Sequence, residues 1–319
     1  YNYEPVKKEV TVSVNQTQAG EPFQFPLAID VFENGKPTRK NVWVDAKTKN
    51  EFSFAVSKNP ELINLNADGV LMADITETKT PEQYFTQFSN SKEFINRYKA
   101  VENAVENASK NPVAVKTLVA GLKDPYFRVR MKALSGLDLS KPDQAKLALS
   151  EVEKLAANDP KTLVQGAAIA ALAKTKDKKY LPLFEKGMNA VSNSVKGNSF
   201  SGIASVDPAR ITSFADKVDL EGAGEALISE LIPVIVKNKI EKQMPAIATT
   251  VAFYPFIKFQ NPELGTAAEE GYNLIMSSDH LKATENLTKV LNKAKGQISE
   301  NPQAKMMIVK ILREGLTKK

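Results

Sequence analysis

Hydrophobic and polar residues alternate through the first 75 positions of the chain. Val10, Val12 and Val14 are separated by single polar residues, and residues 23–31 continue the same period of two. This spacing is typical of β-strands, because successive side chains of a strand point to opposite faces. We expect strands over residues 10–14, 23–31, 39–45, 52–56, 62–65 and 70–75.

A hairpin signal joins the second and third of these segments. Asn34-Gly35 suits the two central positions of a type I′ turn, which both need positive φ. Six short antiparallel strands at this spacing predict a small all-β, Ig-like sandwich.

Beyond residue 80 the hydrophobic period becomes helical, and Asn or Asp followed by Pro recurs near predicted helix starts. The side chain of Asn or Asp can accept a hydrogen bond from a free backbone N–H there, and Pro fits the first helical position. These pairs are Asn111-Pro112, Asp124-Pro125, Asp159-Pro160, Asn261-Pro262 and Asn301-Pro302. We expect helices over residues 82–89, 92–108, 113–122, 125–137, 144–157, 160–173, 181–195, 208–218, 225–237, 243–257, 262–276, 280–297 and 302–316. The Gly- and Ser-rich residues 192–205 predict a long loop.

The helical part carries a degenerate repeat. Asp124 and Asp159 are spaced as in helix-hairpin repeats, and residues 124–130 resemble the HEAT pattern in which an Asp and an Arg join neighbouring turns. We therefore predict an all-α superhelical array of HEAT- or ARM-like hairpins, with Arg130 as a structural residue of the stack. The predicted domains are 1–78 for the β-sandwich and 79–319 for the helical array.

Composition limits the classes of partner. The chain has 319 residues, of which 42% are hydrophobic and 25% are charged, and no apolar run is long enough to span a bilayer. The net charge of +6 comes from basic residues interleaved with acids, which favours solvated helix faces over a nucleic-acid footprint. With no cysteine, the chain forms no disulfide, and a bacterial cytoplasmic or exported location both remain open.

The sequence contains no recognisable catalytic constellation, so we predict no catalytic, cofactor-binding or metal-binding residue. His280 is the only histidine, which excludes a two-histidine zinc site. Gly222-Ala223-Gly224 lacks the Lys-Ser/Thr of a phosphate-binding loop, and Glu269-Glu270 are adjacent on a helix and cannot face one another. Residue chemistry alone favours a scaffold.

Two features resemble the M1 (gluzincin) zinc aminopeptidases. Residues 49–68, which read KNEFSFAVSKNPELINLNAD, resemble the end of the small β-sandwich of that family, where a strand, a Pro-containing turn and an Asn-x-Asp close the domain. The order of a sandwich followed by helices such as 124–130 is similar to the third and fourth domains of the family. The resemblance covers essentially the whole chain, but the family's HExxH helix, its Gly-rich substrate motif and its transition-state Tyr are not in this sequence.

The resemblance implies the non-catalytic C-terminal part of an aminopeptidase, in which the helical domain caps the catalytic chamber and restricts peptide access. The implied partners are an upstream catalytic domain of the same protein and its peptide substrates, with no nucleic acid and no membrane span. The implied zinc belongs to the upstream domain, and no cofactor is expected here. The alternative is a free-standing helical-repeat scaffold that binds a protein partner; a nucleic-acid-associated HEAT protein is a third hypothesis.

Overall fold

In the computed structural model, a small antiparallel β region is followed by a helical region. The structure describes residues 1–215, Leu220, residues 225–278 and Glu285. The chain forms two compact units, Tyr1–Glu151 and Val152–Lys319, so the first unit contains both strands and helices. The domain boundary predicted between residues 78 and 79 stays a prediction.

Six strands of the first unit form two three-stranded antiparallel sheets. One has the order β1-β2-β5 and the other β4-β3-β6. The strands are β1 (Asn2–Glu4), β2 (Glu9–Asn15), β3 (Phe25–Glu33), β4 (Lys36–Val44), β5 (Lys49–Ala55) and β6 (Leu62–Leu65). We call these strands and their connections the β module.

The tip of the β3–β4 hairpin is the predicted type I′ turn. Asn34 and Gly35 both have positive φ, at 54° and 71°. Two carboxylates fix this tip to the loop that follows β5. Glu61 accepts from the backbone N–H groups of Asn34 and Gly35, and Glu33 accepts from the backbone N–H groups of Ser57 and Lys58. The pKa of Glu33 is lowered first by a hydrogen bond from the Ser57 hydroxyl group and then by the backbone N–H of Ser57. The pKa of Glu61 is lowered first by the Gly35 N–H.

The two sheets share a hydrophobic core in which alternate residues of each strand meet. Val10 and Val12 of β2 belong to the same buried cluster as Ile29 and Val31 of β3. The opposite face of β3 is also buried, as at Phe32, and β6, which pairs with β3, contacts the first helix of the chain. The sheet of β3, β4 and β6 therefore has buried residues on both of its faces.

The helical region begins at Pro81, where Thr80 and Gln83 form a capping box. The helices are α1 (Pro81–Asn90), α2 (Phe94–Asn107), α3 (Pro112–Gly121), α4 (Phe127–Ser135), α5 (Pro142–Asn158), α6 (Thr162–Ala173), α7 (Leu181–Gly187), α8 (Asn193–Val206), α9 (Ile211–Ala215), α10 (Glu225–Lys237), α11 (Met244–Val251), α12 (Tyr254–Gln260) and α13 (Pro262–Ser277). None of the helices in the described ranges is long and apolar enough to cross a membrane.

Asn-Pro pairs cap helices as predicted. The Asn111 side chain accepts from Val113 N–H at 2.8 Å, and α3 begins at Pro112. Asn261 accepts from Leu264 N–H at 3.1 Å, and α13 begins at Pro262. The pair at residues 301 and 302 lies outside the described residues.

The helices that follow the Asp-Pro pairs begin later than predicted, and the predicted starts of α4 and α6 were wrong by two residues. Asp124 accepts from Tyr126 N–H at 2.8 Å, and α4 begins only at Phe127. Asp159 accepts in the same way from Lys161 N–H at 2.8 Å, and α6 begins at Thr162. Asn111 accepts from the N–H two residues on in the same way, so this side-chain bond is common to both kinds of pair. The difference is that α3 begins at the proline, whereas α4 and α6 begin one residue after the N–H that the Asp accepts from.

The predicted loop over residues 192–205 is wrong, because most of this range forms α8, which packs against α6 and α7. Its small residues serve close packing: a Cβ atom at Gly202 would lie 2.9 Å from the ring of Phe184. The predicted helix over 181–195 accordingly ends at Gly187, where α7 stops.

Three other predictions differ from the structure. Residues 70–75 form no strand, and Met72 is 98% exposed, so the apolar residues of this range pair with no sheet. Strand β1 was missed because three residues give too short an alternating pattern. The helix predicted over 243–257 is divided into α11 and α12. The helices predicted over 280–297 and 302–316 lie outside the described residues.

Candidate functional site

A cleft of about 660 Å³ opens in the β module. It is lined by residues 1–3, by Val12 and Ser13 of β2, by Ile63 and Leu65 of β6 and by residues 76–79. Its size falls in the range of small-ligand and peptide sites. Glu77 and Lys79 are its only side chains charged at neutral pH, and they pair with each other, so the cleft carries no net charge.

Lys79 is the most unusual residue of this cleft, because its charged side chain is only 3% exposed. The Nζ atom donates to Glu77 Oε1 at 2.5 Å, to Gln87 Oε1 at 2.7 Å and to Asn64 Oδ1 at 3.3 Å. An ammonium group has three protons, and these three acceptors use all of them. Burial lowers the pKa of Lys79 below its ordinary value, and the Glu77 carboxylate opposes this effect.

The hydrogen bonds continue from Lys79 into the helices. Gln87 Nε2 donates to the carbonyl oxygen of Asn96 at 2.8 Å, and Asn96 Nδ2 donates to the carbonyl oxygen of Ala67 at 3.1 Å. The side chains of Asn64, Gln87 and Asn96 are all buried. We call Asn64, Glu77, Lys79, Gln87 and Asn96 the junction network, since they link β6 to α1 and α2.

The geometry of the junction network indicates a structural role. A lysine with a lowered pKa in a cleft is a candidate nucleophile or base. In this cleft, however, the ammonium group has no free proton to offer a ligand, and any movement would leave the buried Asn64 and Gln87 oxygens and the partly exposed Glu77 carboxylate without this donor. Lys79 therefore has a structural role, in which its hydrogen bonds connect β6 to α1.

A second network surrounds Asp124, which is buried in the turn that precedes α4. Its carboxylate accepts from Arg97 Nε at 2.6 Å and Nη2 at 3.2 Å, as well as from Tyr126 N–H. Its carbonyl oxygen accepts from Arg130 Nη1 at 2.7 Å. Arg130 is itself buried, so the predicted structural contact between Arg130 and a neighbouring turn is confirmed.

The same contact occurs 35 residues later. Gln165 Nε2 donates to the carbonyl oxygen of Asp159 at 2.7 Å, as Arg130 does to that of Asp124. In both places the Asp carboxylate accepts a hydrogen bond from the N–H two residues on. The Asp carbonyl oxygen accepts a second hydrogen bond from the side chain six residues on. We call this arrangement the Asp-carbonyl cap.

No catalytic, cofactor-binding or metal-binding residue was predicted, and the described residues hold no group of three His, Cys, Asp or Glu side chains that could bind a metal ion. Glu269 pairs with Lys258 at 2.7 Å on the surface of α13. His280 and the Gly222-Ala223-Gly224 tract lie outside the described residues.

The junction network was missed by sequence reasoning. Its members come from four separate segments, and Lys79 looks like an ordinary solvated residue before a helix start. The isolated charge between two threonines at a strand-to-helix connection is the only local signal.

No protein-family model matches the chain, and no curated protein matches it. Among solved structures, it is similar to aminopeptidase A of Legionella pneumophila in complex with aspartic acid, with a TM-score of 0.42 and 12% identity over 98% of this chain. It is also similar to the complex of CpcE and CpcF of phycocyanin lyase from Nostoc sp. PCC7120, with a TM-score of 0.35 and 16% identity over 69% of this chain and 98% of that one. The chain spans 38% of the length of the Legionella aminopeptidase chain. Similarities at these TM-scores do not decide fold family or function.

Proposed function

We propose that this chain is the non-catalytic C-terminal part of an M1-like zinc aminopeptidase. Its β module would be the Ig-like sandwich of that family, and its helices a HEAT-like array that caps the catalytic chamber. The parent protein would remove N-terminal residues from peptides, and the helical part would admit peptides while excluding folded proteins.

The observation that carries this proposal is the tract of residues 49–68, where the sequence resembles the closing segment of the family's sandwich. These residues form β5, a turn and β6, followed by a turn at Asn66, whose side chain bonds to both the N–H and the carbonyl oxygen of Leu71. The Asn96 bond to Ala67 then ties this closing turn to α2. A sandwich that ends directly against the first helices fits the domain order of the family.

The HEAT-like array is supported by the Asp-carbonyl cap, which recurs with a 35-residue spacing in the range of helix-hairpin repeats. Zinc does not fit the described residues of this chain, because none of their His, Cys, Asp or Glu side chains form a ligand group. The metal would be bound by an upstream domain, and the residues described here would contribute shape and restricted access.

The gene that encodes the chain provides the first test. We expect an in-frame HExxH motif upstream of the codon for Tyr1. The full gene product should release amino acids from aminoacyl-arylamides and from unfolded peptides, while a folded protein with an accessible N-terminus should be cleaved poorly. Residues 1–319 alone should show no activity with or without added zinc.

Two outcomes would contradict the proposal. A gene without an upstream HExxH would leave a free-standing helical-repeat scaffold as the better hypothesis. If the full gene product cleaves folded and unfolded substrates at equal rates, the aminopeptidase activity would be supported, but the proposed capping of the chamber would be contradicted.

A further inference from the structure

Strand β5 forms one edge of its sheet. The strand order β1-β2-β5 places β2 on one side of β5, and on the other side no strand lies beside it among the residues that the structure describes. β1 pairs with the opposite edge of β2, so the free edge of β5 is on the far side of the sheet from β1. The side chains of β5 alternate between exposed and partly buried along this edge.

The register shows which residues face the free edge. Gln16 N–H donates to the carbonyl oxygen of Thr48, and Val56 N–H donates to that of Lys8, both at 2.9 Å and both in the register of the β2–β5 pair. Hydrogen-bonded and non-hydrogen-bonded positions alternate in an antiparallel pair, so the even-numbered residues of β5 bond to β2. The odd-numbered residues direct their N–H and carbonyl groups to the free edge, and they are Lys49, Glu51, Ser53 and Ala55.

The free edge of β5 lacks the features that commonly prevent strand addition, which are unpaired lysines, prolines and bulges. Residues 49–55 contain no proline, and their register with β2 is continuous. Lys49 and Glu51 pair with each other at 2.7 Å, so they add no net charge to the edge. By contrast, β4 at the edge of the other sheet begins with Lys36-Pro37 and includes Lys40. Of these two edge strands, β5 is therefore the better suited to accept another strand.

The side chains along β5 are complementary to a second copy of the same strand. Ser13 of β2 lies opposite Glu51, and its hydroxyl group donates to the Glu51 carboxylate at 3.1 Å. In a symmetric antiparallel pair of β5 strands centred on Phe52, Ser53 of the second copy lies opposite Glu51 in the same way. This register includes all seven residues of β5 and places Lys49 opposite Ala55, so no charge lies directly opposite a like charge.

The centre of this register adds an aromatic contact. Phe52 is only partly buried and packs against the core of the β module. At the two-fold axis it lies opposite Phe52 of the second copy, at a non-hydrogen-bonded position, where facing side chains approach most closely. Pairs of aromatic residues at such positions stabilise a sheet.

We infer that two copies of this chain associate through β5, so that the two β1-β2-β5 sheets form one continuous antiparallel sheet. The interface is isologous, since the same strand contributes from both copies. Each odd-numbered residue of β5 exchanges two hydrogen bonds with the second copy. This inference does not rest on the proposed aminopeptidase role, because it concerns only the β module.

The first test is sedimentation equilibrium of residues 1–319 from micromolar to millimolar concentration. Ser53→Pro removes an N–H that faces the free edge and not β2, so the β2–β5 pairing is retained. Ser53→Thr is the matched control, because it keeps both the N–H and the hydroxyl group. We expect the mass of the unmodified chain and of Ser53→Thr to rise with concentration from that of one chain towards that of two. Both copies lose a hydrogen bond in Ser53→Pro, so its dissociation constant should be at least about tenfold higher.

The second test measures the register. The chain contains no cysteine, so a single introduced cysteine can form a disulfide only between copies. In the Phe52→Cys variant the two thiols face each other within disulfide distance, whereas in Lys49→Cys they are about 20 Å apart. Mild oxidation should therefore give a covalent dimer at least about tenfold faster for Phe52→Cys. Amide hydrogen exchange at Glu51 and Ser53 of the unmodified chain should slow as its concentration increases.

Three results would overturn the inference. They are a mass of one chain at all concentrations, equal association of Ser53→Pro and Ser53→Thr, and equal rates of disulfide formation in the two cysteine variants. The mass and hydrogen-exchange measurements on the unmodified chain keep the test decisive if a variant fails to fold, and exchange that does not depend on concentration would also overturn it.

Discussion

Each of the two compact units is stabilised internally, and the contacts that are prominent within each differ in kind. In the first, buried polar side chains such as Lys79, Gln87 and Arg130 make directional hydrogen bonds between elements. In the second, close packing of small residues is prominent: a Cβ atom at Gly187 would lie 2.0 Å from Ser199 Oγ, and one at Gly166 would lie 2.3 Å from Ser194 Oγ. The polar contacts fix geometry through specific partners and the glycine contacts through shape, so the two kinds of contact should respond differently to substitution.

The largest loss of stability is expected from a substitution in the junction network. Lys79→Met keeps most of the volume but leaves Glu77, Gln87 and Asn64 without their donor. Breaking a buried ion pair costs about 3 kcal/mol or more, and we expect the lower value because Glu77 is partly exposed. Urea denaturation of the full chain measures this loss.

Lys123→Met is the matched control, because Lys123 is an exposed lysine 3.8 Å from Glu151. It should change the free energy of unfolding by less than about 0.5 kcal/mol, as exposed ion pairs do. Equal losses for the two variants would show that the junction network contributes no more than surface charge.

The Asp-carbonyl cap allows the same contact to be compared in both units. Arg130→Ala should destabilise by about 2 kcal/mol, and Gln165→Ala by about 1 kcal/mol, because hydrogen bonds from charged donors are stronger. Arg130→Lys should recover little, since an ammonium group lacks the planar fork of the guanidinium. Thermal denaturation measures whether Arg130→Ala is destabilised more than Gln165→Ala. An Arg130→Ala variant with an unchanged melting temperature would contradict the prediction.

Substitution of Ser199 is expected to increase the stability of the protein, unlike the substitutions above. It is fully buried in α8, and its hydroxyl group has no hydrogen-bond partner among the described residues. Removing an unsatisfied buried hydroxyl should stabilise the protein by about 1 kcal/mol, so Ser199→Ala is expected to raise the melting temperature. Ser205→Ala is a suitable control, because the Ser205 hydroxyl donates to two carbonyl groups. A destabilised Ser199→Ala variant would mean that the hydroxyl group fills space that the packing needs.

The smallest effect is expected from the two carboxylates of the hairpin tip. The folded-state pKa values of Glu33 and Glu61 are lowered below the ordinary value of 4.5, so their contribution is present above that pH and is lost as the pH falls through the folded values. Glu33→Gln and Glu61→Gln should each reduce the difference in melting temperature between neutral and acidic solution. An unchanged pH dependence in both variants would assign acid sensitivity to other groups.

Local signals predicted most elements of the fold. Asn34-Gly35 needs no distant partner to form its turn, and Asn111 caps α3 with an N–H two residues away. The predictions failed where tertiary packing determines whether a segment forms a helix or a loop. The small residues of α8 look like a loop, but they are required by close contact with α6 and α7, as Gly202 is by Phe184.

The candidate site could not be predicted in the same way. Lys79 is buried only because Asn64, Glu77 and Gln87 meet around it, and this meeting depends on how sheet and helices pack.

The Asp-carbonyl cap has a consequence for how such a chain can diverge during evolution. The acceptor of Arg130 and Gln165 is a main-chain oxygen, which every amino acid provides, and the donor is an arginine in one copy and an amide in the other. Substitutions at either end can therefore erase the sequence likeness of two repeats while the turn keeps its shape. Ancestry among such hairpins would be better traced by which backbone carbonyl is occupied than by which letters are shared.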